Sequence, residues 1–336
     1  MNKVFKVIWN HATQTWTAVS ELGHAKGKTK SKKIVKLTAL AGAVLGVVGT
    51  AQAAVDVDSS SITIASNNPT ANEATKGKQN INIGTGANTY RNANGKVSHD
   101  AIAIGSNATG TGDAAVAIGL EASATEQNGV AIGHKAKNTS QSSVAIGENA
   151  TSSKDMDVAI GKNAAASGGE SLSFGSDSKA SGQATVAVGK ESNASGSSAI
   201  SAGYQSAAAG DNAVAVGKNT TAGATNAIAV GLRATATGTR AIATGAGSSA
   251  TGEQSLANGF TAKASGENSI AQGNAANASA ANATAIGTLS NASGVASFAG
   301  GTSAKAIGDN SIAIGGATVM DDDYLTDKKQ TAAPVS

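Results

Sequence analysis

The chain of 336 residues contains 42 glycines, two prolines and no cysteine, and aromatic residues make up only 3% of it. This composition excludes a core of large aromatic side chains, disulfide bonds and thiolate metal sites. The hydrophobic fraction of 40% comes mostly from Ala, Val and Ile, which can bury apolar area only in many thin, similar layers. Residues 1–53 carry a net charge of +7 and the remainder a net charge of −4, so nothing indicates nucleic-acid binding by the mature chain.

Residues 26–53 have the three parts of a secretory signal peptide. A lysine-rich run at residues 26–36 precedes an apolar stretch at residues 37–48, and A-Q-A follows at residues 51–53. This order of basic, apolar and small residues is typical of Sec-dependent export, and the apolar stretch is too short for a permanent membrane span. We expect cleavage after Ala53 or Ala54.

The first 25 residues carry a longer pattern, M-N-K-V-F-K-V-I-W-N at the start and W-T-A-V-S-E-L from Trp16. This pattern resembles the extended signal peptide region of very large autotransporters of Gram-negative bacteria. The resemblance implies export through the inner membrane by the Sec pathway. We therefore predict an extended signal peptide at residues 1–53. Residues 54–100 are predicted to be an irregular segment with a degenerate early coil around residues 81–84.

A glycine recurs every fourteen residues, sixteen times without insertion or deletion, from Gly105 to Gly315. We number positions from this glycine, which is position 0. Position −2 is Ala in all units except two, which have Ser173 and Ser201, while positions −3 and −1 are mostly Val or Ile. Position +3 is always small, position +5 is usually Ala, and position +7 is often a second glycine.

Apolar residues at a spacing of two, rich in Val and Ile, predict strands and not helices. Each unit therefore forms one coil of a parallel β-solenoid, with two strands of about five residues closed by glycine-containing turns. Neighbouring strands lie about 4.8 Å apart, so sixteen coils make a rod of about 75 Å. The predicted fold class is an all-β, parallel β-solenoid.

Such a short coil has almost no interior, which favours Ala at position −2 inside and Val or Ile at positions −3 and −1 outside. The outward residues then form an apolar stripe along the rod, which needs a partner to stay soluble. Because every copy of the chain carries the same stripe, we expect a parallel homo-oligomer. The opposite assignment, with bulky residues inside and Ala outside, stays open at this point.

The S-V-A-I-G pattern, clear at residues 143–147 and as S-I-A-I-G at residues 311–315, resembles the YadA-like head repeat of trimeric autotransporter adhesins. We assign residues 101–318 to this head. The resemblance implies a left-handed β-roll, a homotrimer, a place at the cell surface or outer membrane, and a role in virulence. It also implies attachment to host matrix proteins such as collagen, attachment to other cells, or autoaggregation.

Residues 319–336 show neither heptads nor the alternating strands of a membrane anchor, and we expect a flexible tail there. The alternatives are a truncated product, a head secreted without its anchor, and a fragment. Within the repeat, position −1 turns polar in three successive units, at Thr244, Asn258 and Gln272. These side chains either hold water or an ion at an oligomer axis or weaken the stripe locally.

We predict no catalytic, cofactor-binding or metal site and no enzymatic activity. His99 and His134 occupy unrelated repeat positions, and the G-T-G at residues 110–112 follows from the repeat. The cluster of Lys154, Asp155 and Asp157 is predicted to be a solvated loop. Three rival functions remain: a polysaccharide-active solenoid enzyme, an ice-binding solenoid, which would require a regular threonine ladder, and a non-functional adhesin remnant.

Overall fold

The computed structural model describes residues 79–89 and 97–315, together with the backbone of four earlier strands, Phe5–Asn10, Thr15–Ser20, Ala53–Val57 and Ser61–Ser66. The chain divides into two compact units, Met1–Thr50 and Ala51–Ser336. In the first unit, the two strands pair antiparallel. The predicted apolar stretch at residues 37–48 and the predicted tail at residues 319–336 lie outside the described residues.

Sheet 1 of the second unit takes one three-residue strand from every coil, and all sixteen of these strands pair in parallel with their neighbours. Their bounds are Ile102–Ile104, Val116–Ile118, Val130–Ile132, Val144–Ile146, Val158–Ile160, Leu172–Phe174, Val186–Val188, Ile200–Ala202, Val214–Val216, Ile228–Val230, Ile242–Thr244, Leu256–Asn258, Ile270–Gln272, Thr284–Ile286, Phe298–Gly300 and Ile312–Ile314.

Sheet 2 takes a two-residue strand from each of fifteen coils, also in parallel. Its strands are Thr109–Gly110, Ser123–Ala124, Lys137–Asn138, Thr151–Ser152, Ala165–Ala166, Lys179–Ala180, Asn193–Ala194, Ala207–Ala208, Thr221–Ala222, Thr235–Ala236, Ser249–Ala250, Lys263–Ala264, Asn277–Ala278, Asn291–Ala292 and Lys305–Ala306. No helix occurs among the described residues. The predicted parallel β-solenoid with fourteen-residue coils is confirmed, with fifteen full turns.

The strands are shorter than the five residues predicted, because each coil spends most of its length on two turns. In the first turn of one coil the amide of Ala108 donates to the carbonyl of Gly105, and in the second the amide of Ala115 donates to that of Gly112. The third residue of each turn is left-handed, at Asn107 (φ 56°) and Ala114 (φ 55°). This is type II geometry, which ordinarily favours glycine at that place.

Position 0 must be glycine because the backbone of the repeat glycine in the next coil leaves no room for a side chain. At Gly119, φ is +136°, and a Cβ added there would lie 2.4 Å from the carbonyl oxygen of Gly133. Gly133 faces Gly147 in the same way, at 2.6 Å. Any side chain at position 0 would therefore prevent two coils from stacking at hydrogen-bonding distance. This explains why the fourteen-residue glycine series has no exception.

The interior of the roll is made almost entirely of alanine methyl groups. In the sheet 1 strands before the last one, the central residue is buried between two residues that are half-buried or exposed, as in Val116–Ile118, where the central Ala117 is fully buried. Ala122 and Ala124 of the same coil are also fully buried, and the largest alanine cluster runs from Ala180 to Ala306. Alanine is therefore inside and Val or Ile outside, so the opposite assignment is wrong.

The two departures from Ala at position −2 are matched by serines across the interior. The hydroxyls of Ser173 and Ser178 lie 2.7 Å apart, and those of Ser201 and Ser206 lie at the same distance. Ser178 and Ser206 also donate to the carbonyls of the repeat glycines that begin their turns, at 2.8 and 3.1 Å. These four buried hydroxyls are tolerated because each of them has a hydrogen-bond partner.

The prediction that Lys154, Asp155 and Asp157 form a solvated loop is wrong for Asp157. Lys154 and Asp155 are exposed, but Asp157 is fully buried at position −4. Its carboxylate accepts hydrogen bonds from the amides of Lys154 and Gly169, both at 2.9 Å, and from the hydroxyl of Ser171 at 2.6 Å. These donors replace water around the charge, and they join Asp157 to the next coil.

One coil fills its interior with a different pair of residues from its neighbours. Position +5 is Asn138 where twelve of the other fourteen coils have Ala, and position −4 is Gly129 where the other coils have Ala, Ser, Thr or, once, Asp. A Cβ on Gly129 would lie 2.4 Å from Oδ1 of Asn138, while the Asn138 amide donates to Ser143 and Ser152. The missing methyl group at residue 129 thus makes room for the amide.

We expect Gly129→Ala to destabilise the protein by about 2 kcal/mol, because the new methyl group collides with a buried amide. Gly129→Ala combined with Asn138→Ala should recover most of this loss, since it recreates the Ala–Ala pair of other coils, such as Ala227 and Ala236. Urea denaturation of the two single variants and the double variant measures the coupling. Additive effects of the two changes would show that the two sites are independent.

The solenoid continues before Gly105 with a longer coil. Strand Asn80–Ile83 pairs in parallel with Ile102–Ile104 on one side and with Ser61–Ser66 on the other. The register joins Ile81 to Ile102, a step of 21 residues in place of fourteen. Strand Ala53–Val57 then closes this end by pairing antiparallel with Ser61–Ser66.

Candidate functional site

The outer face of sheet 1 is a mostly apolar stripe, which we define as the side chains at positions −3 and −1. The strands pair in exact register, so that Ile118, Ile132 and Ile146 stand one above another. Single members are strongly exposed in the isolated chain, for example Phe174 at 50%. Over fifteen strand steps the stripe is about 70 Å long, far more apolar surface than a soluble monomer normally presents.

Three successive coils replace the position −1 side chain of the stripe by a polar one. Thr244, Asn258 and Gln272 are in register in adjacent strands. Across the repeat glycine in these three coils, position +1 is Ala246, Phe260 and Asn274, and Phe260 is 61% exposed. Only the middle one of the three coils therefore has a large apolar side chain beside its polar residue.

The turn that follows the repeat glycine carries ladders of charged and amide side chains. Lys162 pairs with Glu148 of the preceding coil at 3.2 Å, and Asn163 donates to Asp177 of the following coil at 2.9 Å. The hydrogen bond from Asn163, with a second from Ser176, lowers the pKa of Asp177. Exposed pairs of this kind add little stability, so they set the surface charge more than they hold the coils together.

The outer face of sheet 2 differs in character from both the stripe and the turns. We call it the hydroxyl face and define it as the side chains at positions +4 and +6. Position +6 is Ser or Thr in twelve of fifteen coils, and position +4 is Ser, Thr, Asn, Lys or Ala. Buried alanines such as Ala124 alternate with these outward residues. The result is a long, flat and polar surface on the side of the roll opposite the stripe.

The residues considered as possible sites do not come together. His134 is exposed in a turn, and the backbone amide of His99 donates to Asp113 of the next coil at 3.1 Å. Within the described part of the chain, no three His, Asp or Glu side chains converge on a point where a metal ion could bind. The same residues include no helix long and apolar enough to cross a membrane. That the protein has no catalytic, cofactor or metal site stays a prediction.

Fifteen stacked coils with an alanine core, an apolar stripe on one side and a polar face on the other define a repeat-built β-solenoid. The YadA head domain repeat matches nine overlapping or adjacent segments: residues 98–122, 111–136, 139–164, 166–192, 194–220, 222–248, 250–271, 264–290 and 292–318. These segments cover most of the chain. The chain belongs to the YadA head domain repeat family.

Residues 1–50 match the Extended Signal Peptide of the Type V secretion system, which confirms that the chain carries an export signal. The chain is 36% identical over 109 residues to the autotransporter adhesin EhaG of Escherichia coli O157:H7, which corresponds to 31% of this chain and 6% of that protein. It is 37% identical over 122 residues to the trimeric autotransporter adhesin AtaA of Acinetobacter sp. strain Tol 5, or 33% of this chain and 3% of that protein. The matched part thus spans less than a tenth of either relative.

Among solved structures, the crystal structure of the collagen-binding domain of the Yersinia adhesin YadA is similar to this chain. The sequences are 23% identical, and the match covers 62% of this chain and 89% of that domain, with a TM-score of 0.22.

Proposed function

We propose that this protein is the head of a bacterial surface adhesin that attaches the cell to host extracellular matrix or to other cells. The observation that carries the proposal is the rod of stacked fourteen-residue coils, which presents a side chain at each outward repeat position every 4.8 Å or so. A ligand that is itself long and repetitive, such as collagen, would meet many weak contacts at once, and these add through multivalency. The names of the relatives, both adhesins, support the same function.

The apolar stripe supports a second part of the proposal, a parallel homotrimer with the stripes at its centre. Parallel packing brings coil against equivalent coil, so that the polar residues Thr244, Asn258 and Gln272 of each copy meet their counterparts. A displacement by a single coil would place Val230 opposite Thr244, or Gln272 opposite Ile286. Polar residues in an apolar interface set register in this way at some cost in stability. The number three and a left-handed roll rest on the family resemblance.

We also propose the division of the chain into an extended signal peptide at residues 1–53, an N-terminal segment at residues 54–100 and a head at residues 101–318. Surface exposure follows from export by the Type V route, and attachment to the outer membrane is part of the proposal. A non-enzymatic role fits a surface on which the repeat is unbroken from Gly105 to Gly315. An enzyme would need a local cluster of reactive groups that departs from the repeat.

A binding assay tests the adhesive function directly. The exported protein should bind immobilised collagen, fibronectin or laminin in a saturable manner, and it should not bind immobilised serum albumin. Cells displaying it should adhere to the same coating or to one another. Absence of binding to every matrix protein, together with absence of cell–cell aggregation, would contradict the proposal.

A further inference from the structure

The charges of the roll are segregated between its surfaces. Residues 97–315 contain eleven Lys and Arg residues and fourteen Asp and Glu residues, a net charge of −3. Thirteen of the fourteen acids lie in the turns and the fourteenth, Asp157, lies in the interior. The apolar stripe carries no charge, and the hydroxyl face carries only positive charges. Four lysines provide them: Lys137, Lys179, Lys263 and Lys305.

These four lysines form one straight row along position +4. The strand register leads from Lys137 to Lys179 in three steps, from Lys179 to Lys263 in six, and from Lys263 to Lys305 in three. At about 4.8 Å per strand, the separations are about 14, 29 and 14 Å. All four side chains are exposed, and none pairs with a carboxylate of the described residues, unlike Lys135 and Lys162 in the turns.

Between the lysines, the face offers closely spaced hydrogen-bonding groups. Hydroxyls at position +6 recur in successive coils, as in Thr237 and Thr251. At position +4, the Asn277 amide donates to the Asn291 amide oxygen at 2.8 Å, so these side chains are already aligned along the rod. A ligand that spans the row thus finds a cation every third or sixth coil and neutral donors and acceptors in between.

The chemistry of the face discriminates between classes of polyanion. The face has no aromatic residue for base stacking, on which proteins that bind single-stranded nucleic acid generally rely. Its large apolar side chains are limited to Ile307 at one end, and it has none of the arginines that, with aromatic anchors, usually dominate protein–protein binding. A linear sulfated polysaccharide combines anionic groups with many hydroxyls, which complement the lysines and the hydrogen-bonding side chains of this surface.

We propose that the hydroxyl face binds a linear, sulfated polysaccharide laid along the roll, with Lys137, Lys179, Lys263 and Lys305 contacting its anionic groups. This inference deepens the proposed adhesive function and rests on it, since it assigns one ligand class to one face. The face lies opposite the stripe, so it stays accessible when the stripes pack together. Because each contact is a solvated ion pair, the affinity depends on several contacts acting together and falls as salt screens them.

Heparin is the probe, and two charge-matched variants of the exported protein localise its binding. The first variant changes the four lysines of the hydroxyl face, K137Q, K179Q, K263Q and K305Q. The second variant removes the same number of charges from the turns that follow the repeat glycine, through K135Q, K162Q, K190Q and K218Q. We expect the parent and the turn variant to bind heparin with similar affinity, and the face variant to bind about tenfold more weakly or worse. Circular dichroism and sedimentation verify that both variants keep the parental fold and assembly.

The inference would be overturned by no binding of heparin by the parent or by equal weakening in the two variants. Equally tight binding of polyglutamate would overturn it too, because it would indicate general attraction of anions. Binding of neutral dextran as tight as that of heparin would also exclude a role for the lysines. The assay on matrix proteins separates this inference from the adhesive function. If the face variant loses heparin binding but still binds collagen, both the adhesive function and the inference are supported. The two ligands would then bind to different surfaces.

Discussion

Gly203→Ala is expected to destabilise the roll by about 3 kcal/mol or more. The Cβ of the alanine would lie 2.3 Å from the carbonyl oxygen of Gly217, and φ at this residue is +145°, a conformation that side chains rarely adopt. Both effects act at once, because the backbone cannot relax without moving the next coil. The midpoint of urea denaturation at fixed protein concentration measures the loss.

Gly223→Ala is the matched control in the following coil. Its φ lies outside the left-handed region, and the nearest atom to a new Cβ would be the methyl carbon of the exposed Thr237, at 3.3 Å. A side chain there can give way, and alanine restricts the unfolded chain more than glycine does. We expect a change of less than about 1 kcal/mol. If the two substitutions destabilise the protein equally, the close contact between glycines of adjacent coils is not the reason that position 0 must be glycine.

Charging the apolar stripe should have the second large effect, on assembly. The combined variant Ile118→Lys, Ile132→Lys and Ile146→Lys places three like charges about 4.8 Å apart on adjacent strands of each copy. In a packed interface these charges would be desolvated and would face those of the other copies, which costs several kcal/mol. Light scattering should then give the mass of a monomer for this variant, and we expect it to give the mass of a trimer for the parent.

The hydroxyl face provides the control for this experiment. Ser123→Lys, Thr151→Lys and Ala165→Lys add the same three charges to sheet 2, on the side away from the stripe. This variant should remain trimeric. A monomeric parent protein, or dissociation of both variants alike, would contradict the placement of the stripe at the oligomer centre.

The fold could be predicted because a single spacing, repeated sixteen times, leaves few structures possible. The alternation of Val116, Ala117 and Ile118 identified which side chains point inward once the coil was known to be thin. The length of the strands could not be read in this way. The residue with a positive φ is Asn107 in one turn and Ala114 in the other. In other coils the same turn position holds residues as different as Met156 and Leu289, so the residue type does not mark where a turn lies.

The details of the interior depend on pairs that are far apart in the repeat pattern. Asp157 reads as a surface residue from its neighbours Lys154 and Asp155, and only its position, −4, indicates burial. The sequence contains that signal, because position −4 is otherwise Ala, Ser, Thr or Gly. The lysine row on the hydroxyl face was missed for a related reason. Its members are 42 or 84 residues apart in the sequence, which corresponds to three or six coils. These separations become regular distances along one face only when the strands are stacked.

The most direct test of the central claim is a set of distances along the rod, measured between pairs of nitroxide labels. The chain has no cysteine, so labels can be placed at Ser123→Cys and, in separate proteins, at Ala165→Cys, Ala207→Cys or Ser249→Cys, diluted with unlabelled chain. If each fourteen residues form one coil, the distances rise by about 4.8 Å per unit, to about 14, 29 and 43 Å. A rise of about 21 Å per unit, as in a helix, or distances that do not grow with separation would contradict the stacked solenoid.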